Sequence, residues 1–412
     1  MRRRPFEPAE GVSNIELFYD LIFVYGISVL TSLCQDITVG FFDRGTWLTY
    51  LFCLLVILQI WFYTTVLMNR YGDRSSSECV GLFVNMFLLY FLANGAQADG
   101  SYASTHFNLI WAAILINIAV QWIIKVRVYT NLDRDDMHIM AGSIVTLLAQ
   151  AVIATVAAFL PTLQSVIVSW VALVFGMTVW VQAPHYRKKT ARFSHVAERC
   201  SLLTIIAFGE MIVAISTFMT HTTSIWYSVG VFTLVVGLFL IYIFEHDHML
   251  DHHAKTDGMA YMTISSWLIV VIGNLTVAVS YMPRDEIDFL PKSIYLSVCL
   301  ALYLLTSFLL GRFNKVAYRY SKLYVIGRLA ACAAIVIVGL LTRFDPDMCL
   351  RCHVLAVYAA FGYEFYLWRR RSKLVAIGRS LGMDCEEMVH LGYDFTTIEG
   401  RRSIEQTARD DE

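Results

Sequence analysis

TWLTYLFCLLVILQIWFYTTVLM, residues Thr46–Met68, runs through 23 positions without one Asp, Glu, Lys or Arg. A bilayer core about 30 Å thick takes about 20 helical residues, so this stretch is long enough to cross it. A helix on the surface of a soluble domain would interrupt such a run with a polar face. Working outward, comparable runs recur along the whole chain. They predict spans at 14–38, 46–68, 78–98, 106–128, 137–159 and 162–182, then at 198–219, 226–249, 260–281, 291–312, 324–342 and 348–368.

The composition agrees. Of 412 residues, 57% are hydrophobic and only 16% are charged, against roughly 25% in an ordinary soluble domain, and mean hydropathy is +0.58. Net charge is −1, with 32 Lys+Arg against 33 Asp+Glu, which gives no footing for a nucleic-acid partner. The first apolar run carries Glu16 and Asp20 and no small-residue cleavage site follows it, so it reads as a span and not as a signal peptide. The implied fold class is all-α, a polytopic integral membrane protein whose main partner is the lipid bilayer.

Basic residues orient the spans. With the N-terminus inside, the inner segments before the tail hold groups such as Arg2–Arg4, Arg187–Lys189 and Arg312–Lys322, while the outer loops hold only Arg44, Arg284, Lys292, Arg343 and Arg351. The positive-inside rule therefore predicts a plasma-membrane protein with both termini cytoplasmic. Span starts in the second set follow those in the first by 180–187 residues. That offset predicts two parallel six-helix repeats, about twelve transmembrane helices in all. The organisation expected is a cytoplasmic N-terminus (1–13), a first repeat (14–182), a basic linker (183–197), a second repeat (198–368) and a cytoplasmic tail (369–412). Leu374–Leu391 in the tail could form an amphipathic surface helix. A two-fold architecture also leaves room for a homodimer.

Ionisable groups inside spans are costly, and they mark candidate sites. Glu210 stands twelve residues into the seventh span, about 18 Å from its inner end at 1.5 Å per residue. That places it near the midplane, as a candidate carrier of a proton or ion. Glu16 and Asp20 are four apart and share one face of the first helix. The helix dipole explains acids in a first turn, and Asp20, one turn deeper, fits that explanation less well. Glu198 and Arg199 open the seventh span and could cap it or pair with the first helix. Asn117, Gln121, Gln150 and Asn274 are uncharged mid-span residues suited to interhelical hydrogen bonds. Asn117 and Asn274 join the pathway candidates.

Three other motifs resemble chemistry. Glu245–His253 reads EHDHMLDHH, and His248 and His252 would be spaced i, i+4 for a metal if the segment were helical. A solvated polar loop is the plainer account. Cys349-Leu350-Arg351-Cys352-His353 fits the c-type haem pattern, but it opens a span and leaves no loop to wrap a haem. An exposed thiol pair or disulfide on the outer side is the other reading. Gly378–Gly382 fits G-x-S-x-G, but it lacks the strand–turn–helix setting that motif needs. No cofactor is expected, and no helix carries a nucleophile–base pair at recognisable spacing, so enzyme chemistry has little support.

Two segments then carry a resemblance. Val12–Thr31 reads VSNIELFYDLIFVYGISVLT and His195–Ser216 reads HVAERCSLLTIIAFGEMIVAIS. They resemble the two signature segments of the bacterial low temperature requirement A (LtrA) membrane protein family, through Glu16, Leu17, Phe18, Asp20 and Leu21 in the first and Glu198, Arg199, Leu202, Gly209 and Glu210 in the second. The resemblance covers residues 12–368. It implies a multi-pass membrane protein linked by name to growth in the cold, and it supplies no substrate. One departure stands out: the eighth helix ends YIFEHDH (Tyr242–His248) where relatives tend to an aromatic–Asp pattern, and Glu245 is the candidate substitute. The combined reading is a proton- or ion-coupled secondary transporter of unknown substrate. The alternatives are a proton or ion channel, and an intramembrane enzyme or lipid-handling protein.

Overall fold

The computed structural model describes residues 11–35, 43–98, 105–129, 132–182, 192–216, 225–284, 286–342 and 345–380. Among them are twelve α-helices: α1 (Asn14–Gln35), α2 (Arg44–Tyr71), α3 (Ser76–Ala98), α4 (Thr105–Val128), α5 (Arg134–Ala158), α6 (Thr162–Gln182), α7 (Phe193–Ser216), α8 (Ile225–Phe244), α9 (Met259–Tyr281), α10 (Phe289–Leu310), α11 (Lys322–Leu341) and α12 (Pro346–Ser380). Ten of these are long and apolar enough to cross a membrane, namely α1–α5 and α7–α11. The helices fall where the apolar runs predict them, because a backbone in lipid must satisfy its own hydrogen bonds within the segment.

Local chemistry sets several ends. Asp43 caps α2, its carboxylate accepting from Thr46 N at 2.8 Å. Ser13 and Glu16 form a reciprocal capping box at α1: Ser13 Oγ accepts from Glu16 N at 3.4 Å, and Ser13 N donates to Glu16 Oε1 at 3.4 Å. Two boundaries differ from expectation. α7 begins at Phe193, five residues before 198, because His195 and Arg199 find partners and can sit inside a helix. α12 runs on through Arg369–Arg371 to Ser380 without a break. Arg371 is buried and donates to the Arg319 carbonyl at 2.5 Å, which anchors that extension. The first part of the expected tail helix is thus the end of α12, and residues 381–391 lie outside the described residues.

The chain divides into two compact units, one from Met1–Glu210 with Lys255–Gly273, the other from Met211–Ala254 with Asn274–Glu412. In the first, α2 packs against α1, α3, α4 and α6. Phe52 of α2 meets Phe107 and Trp111 of α4 and Trp170 of α6 at centroid distances of 5.1–6.0 Å. Deeper polar groups close on one another: Tyr63 donates to Gln150 (2.9 Å), Gln150 to Gln59 (2.7 Å), and Gln59 to the Leu173 carbonyl (3.1 Å). In the second unit, α12 packs against α8, α10 and α11, and α10 against α11. Gly237 on α8 lets the Tyr358 ring of α12 come close: an added Cβ would stand 2.8 Å from its Cε2. Small residues at such crossings are how membrane helices gain contact without a hydrophobic drive.

Candidate functional site

The first unit holds a buried charge cluster built from two i, i+4 pairs. Glu16 and Asp20 project from one face of α1, His195 and Arg199 from one face of α7. Arg199 Nη2 donates to Asp20 Oδ1, which also accepts from Trp61 Nε1 of α2 at 2.9 Å. The guanidinium lies 5.5 Å from the centroid of the Trp61 ring. Glu16 Oε2 stands 3.1 Å from His195 Nε2 and 3.9 Å from Arg199 Nε. Asp20 and Arg199 are both 0% exposed, and Glu16 and His195 are buried too. Among the described residues, Asp20 Oδ2 has no hydrogen-bond partner. The cluster thus sets two carboxylates against one guanidinium, with an imidazole beside them, deep inside a helical bundle where an uncompensated charge costs several kcal/mol.

The second unit holds a similar cluster. A π-helical turn, Glu245–Met249, ends α8, with Leu250 N donating to the Glu245 carbonyl five residues back (3.0 Å). Such turns recur at functional positions. Glu245 Oε1 accepts from Arg328 Nη2 of α11 at 2.7 Å, and Glu364 Oε2 of α12 accepts from Arg328 Nη1 at 3.1 Å. Arg328 also donates to the Leu304 carbonyl (3.2 Å) and Ser307 Oγ (2.6 Å) of α10. The Tyr324 hydroxyl reaches Glu364 Oε1 at 2.6 Å and Glu245 Oε1 at 3.3 Å. All four principal residues are buried.

A third ionic knot ties the α2–α3 connection to α4. Lys125 Nζ lies 2.5 Å from Asp73 Oδ1 and 2.6 Å from Glu78 Oε2. Burial works to raise the Asp73 carboxyl, but the hydrogen bonds from Lys125 and Ser75 outweigh it and hold it at about 2.

The remaining sequence candidates scatter. Glu198 is exposed, apart from its neighbour Arg199. Glu210 is half-buried and within hydrogen-bond reach of Ser28 on α1. Asn117 donates to the Gly81 carbonyl (2.8 Å) and Asn85 Oδ1 (2.7 Å), joining α4 to α3. Asn274 Oδ1 accepts from Tyr295 at 2.8 Å. Both act as interhelical ties. The helix that would align His248 with His252 stops at Met249. His248 stacks on Phe244 and His252 packs against His246. Burial and the neighbouring His246 push His252 below the ordinary imidazole value. Among the described residues, no group of three or more His, Cys, Asp or Glu is placed to hold a metal. Cys349 and Cys352 are free thiols, and His353 is buried, its Nδ1 donating to the Cys349 carbonyl (2.7 Å) and its Nε2 lying 2.9 Å from Ser297 Oγ.

His195, Trp61, Arg328 and Glu364 were not singled out in the sequence. Arg328 and Glu364 carry the same signal that marks Glu210, a charge within an apolar span, and could have been found by it. Trp61 carries none.

Ten membrane-length apolar helices among the described residues, with buried charged side chains meeting between them, mark a polytopic membrane protein. Its residues 11–360 match the family model described as bacterial low temperature requirement A protein (LtrA), and the chain belongs to that family. No curated protein matches it significantly.

Proposed function

We propose that the protein is a proton- or ion-coupled secondary transporter, with twelve spans in two parallel repeats and both termini cytoplasmic. The observation that carries this reading is the unpartnered Asp20 Oδ2, held inside a bundle beside Glu16, His195 and Arg199. The large majority of buried side-chain polar atoms have a hydrogen-bond partner. A buried carboxylate oxygen left open, in a cluster of two carboxylates and one guanidinium, is a seat for a mobile proton or cation. Arg199 fixes Asp20 in place, Trp61 holds the second donor position, and Glu16 and His195 stand beside that pair. Glu210 lies eleven residues further along α7, about 16 Å at 1.5 Å per residue, and supplies a second titratable group on the same helix.

The test is pH-dye flux in proteoliposomes. Wild type should move protons when a pH gradient is imposed together with a co-substrate, drawn from a panel of ions and small organic solutes, and Asp20→Asn should not. Flux that persists unchanged in Asp20→Asn removes the cluster as carrier. Net proton current at all times, with no need of a co-substrate, would replace the transporter by a channel. Single cysteines in a cysteine-free background test the orientation: one at Glu286 should react with an impermeant maleimide from outside, and one at Lys255 should not.

A further inference from the structure

Between α11 and α12, wholly within the second unit, lies a cavity of about 260 Å³. Its walls are alanines of both helices, such as Ala331 and Ala356, with Gly327 and Tyr363, and its polar wall is Tyr324, Arg328 and Glu364. Ala330, Ala334 and Ala359 of the lining are exposed, so the cavity reaches the surface of the unit. We propose that this cavity binds a small organic cation, an ammonium with an apolar body, in exchange for one proton held by the Glu245–Glu364 pair. The proposal rests on the coupled-transport reading and names its substrate class.

The argument is one of charge and shape. Two carboxylates face a single guanidinium, and all three side chains are nine-tenths or more buried. One negative charge is therefore in excess. Glu245 and Glu364 are within hydrogen-bond reach of each other, and Glu245 Oε2 has no donor among the described residues. A single proton shared by the pair removes the excess. The other groups that act on the pair are Tyr324 and Arg328 on α11, Tyr303 on α10 and Tyr320 before α11. The hydroxyls are neutral near pH 7. The proton that exchanges is thus a carboxyl proton.

A ligand that enters with one positive charge and displaces that proton to water leaves the cluster neutral before and after. An anion would find Arg328 already engaged by both carboxylates. A purely apolar occupant would fill the space without replacing the proton. The cavity is too large for a bare metal ion and offers it methyl groups on most sides. Tyr324 and Tyr363 add aromatic lining of the kind that holds ammonium groups.

The experiment uses the full chain in nanodiscs, with benzyltrimethylammonium as the probe and benzyl alcohol as its neutral counterpart. Calorimetry in two buffers of different ionisation enthalpy counts protons released. Wild type should bind the probe saturably and release about one proton per probe near pH 7, as one-for-one exchange requires. Glu364→Gln keeps one carboxylate per guanidinium, so it should fold, lose proton release and bind at least about tenfold more weakly, a loss of about 1.4 kcal/mol. Ala331→Phe leaves every charge in place and should abolish binding by filling the cavity. Absence of saturable wild-type binding overturns the proposal. So does equal binding of benzyl alcohol, which would make the cavity an apolar or helix-docking surface, and so does binding unchanged in Glu364→Gln. Proton flux in wild type without probe binding would leave coupling intact and discard the substrate class. Probe binding without flux would keep the site and discard transport.

Discussion

The two units solve the same electrostatic problem with different parts. Each buries two carboxylates around one arginine and adds an aromatic donor, Trp61 in the first and Tyr324 in the second. In the first, a histidine completes the set, His195 Nε2 lying 3.1 Å from Glu16 Oε2. In the second, no histidine joins the cluster among the described residues. There Arg328 spends its donors on two carboxylates, a carbonyl and a hydroxyl, and a cavity opens beside it. The difference is one of surroundings: an imidazole stands beside the first pair of carboxylates, and an open cavity stands beside the second.

The largest effect expected from this comparison is on Arg328. Arg328→Met strands two buried carboxylates and should cost about 3–5 kcal/mol, the range for breaking a buried pair from one side. Arg199→Met should cost measurably less, because Trp61 still donates to Asp20 and His195 still lies 3.1 Å from Glu16. Thermal unfolding in detergent compares them, and equal losses would erase the distinction between the clusters.

Next comes Asp20 against Glu16. Asp20→Asn should bring proton flux to background. Glu16→Gln should preserve most of it, since Gln also serves in a capping box, with a stability change under about 1 kcal/mol. The reverse order would make Glu16 the carrier and Asp20 an anchor. Glu210→Gln should have an intermediate effect: flux slowed but present, because Glu210 is half-buried and lies outside the cluster. Complete loss would move the central role to Glu210.

The smallest effect separates the two proposed carrier clusters from the Lys125–Asp73–Glu78 knot. Asp73 is held at about 2 by Lys125 and Ser75, below its usual 3.8. A lowered carboxyl stabilises the fold fully above its unfolded value and loses that stabilisation as pH falls through the folded one. Wild type should therefore lose an unfolding component between about pH 4 and pH 2 that Asp73→Asn lacks. Flux near neutral pH should be the same in both.

How much of this was legible beforehand follows from the range of each interaction. Hydropathy is a local property, and an apolar run of 20 residues has one stable form in lipid, so the helices stand close to where Thr46–Met68 and its counterparts put them. The i, i+4 geometry of Glu16 with Asp20 is also local, which is why that half of the first cluster could be seen on one helix. Even Glu245 drew attention as the odd acid at the end of the eighth span. Which helices face each other is a different matter. Arg328 meets a glutamate 83 residues before it and another 36 residues after it, and Arg199 meets Asp20 across 179 residues. Those meetings depend on interhelical packing set by small residues, aromatic contacts and the sum of many weak forces, none of which is written at the positions of the charges. The sequence alone determined a helical membrane protein of the LtrA family with costly charges in its spans. Only the tertiary structure decided that these charges form two separate clusters, because the energy that pairs them acts through space over a few ångströms and not along the chain.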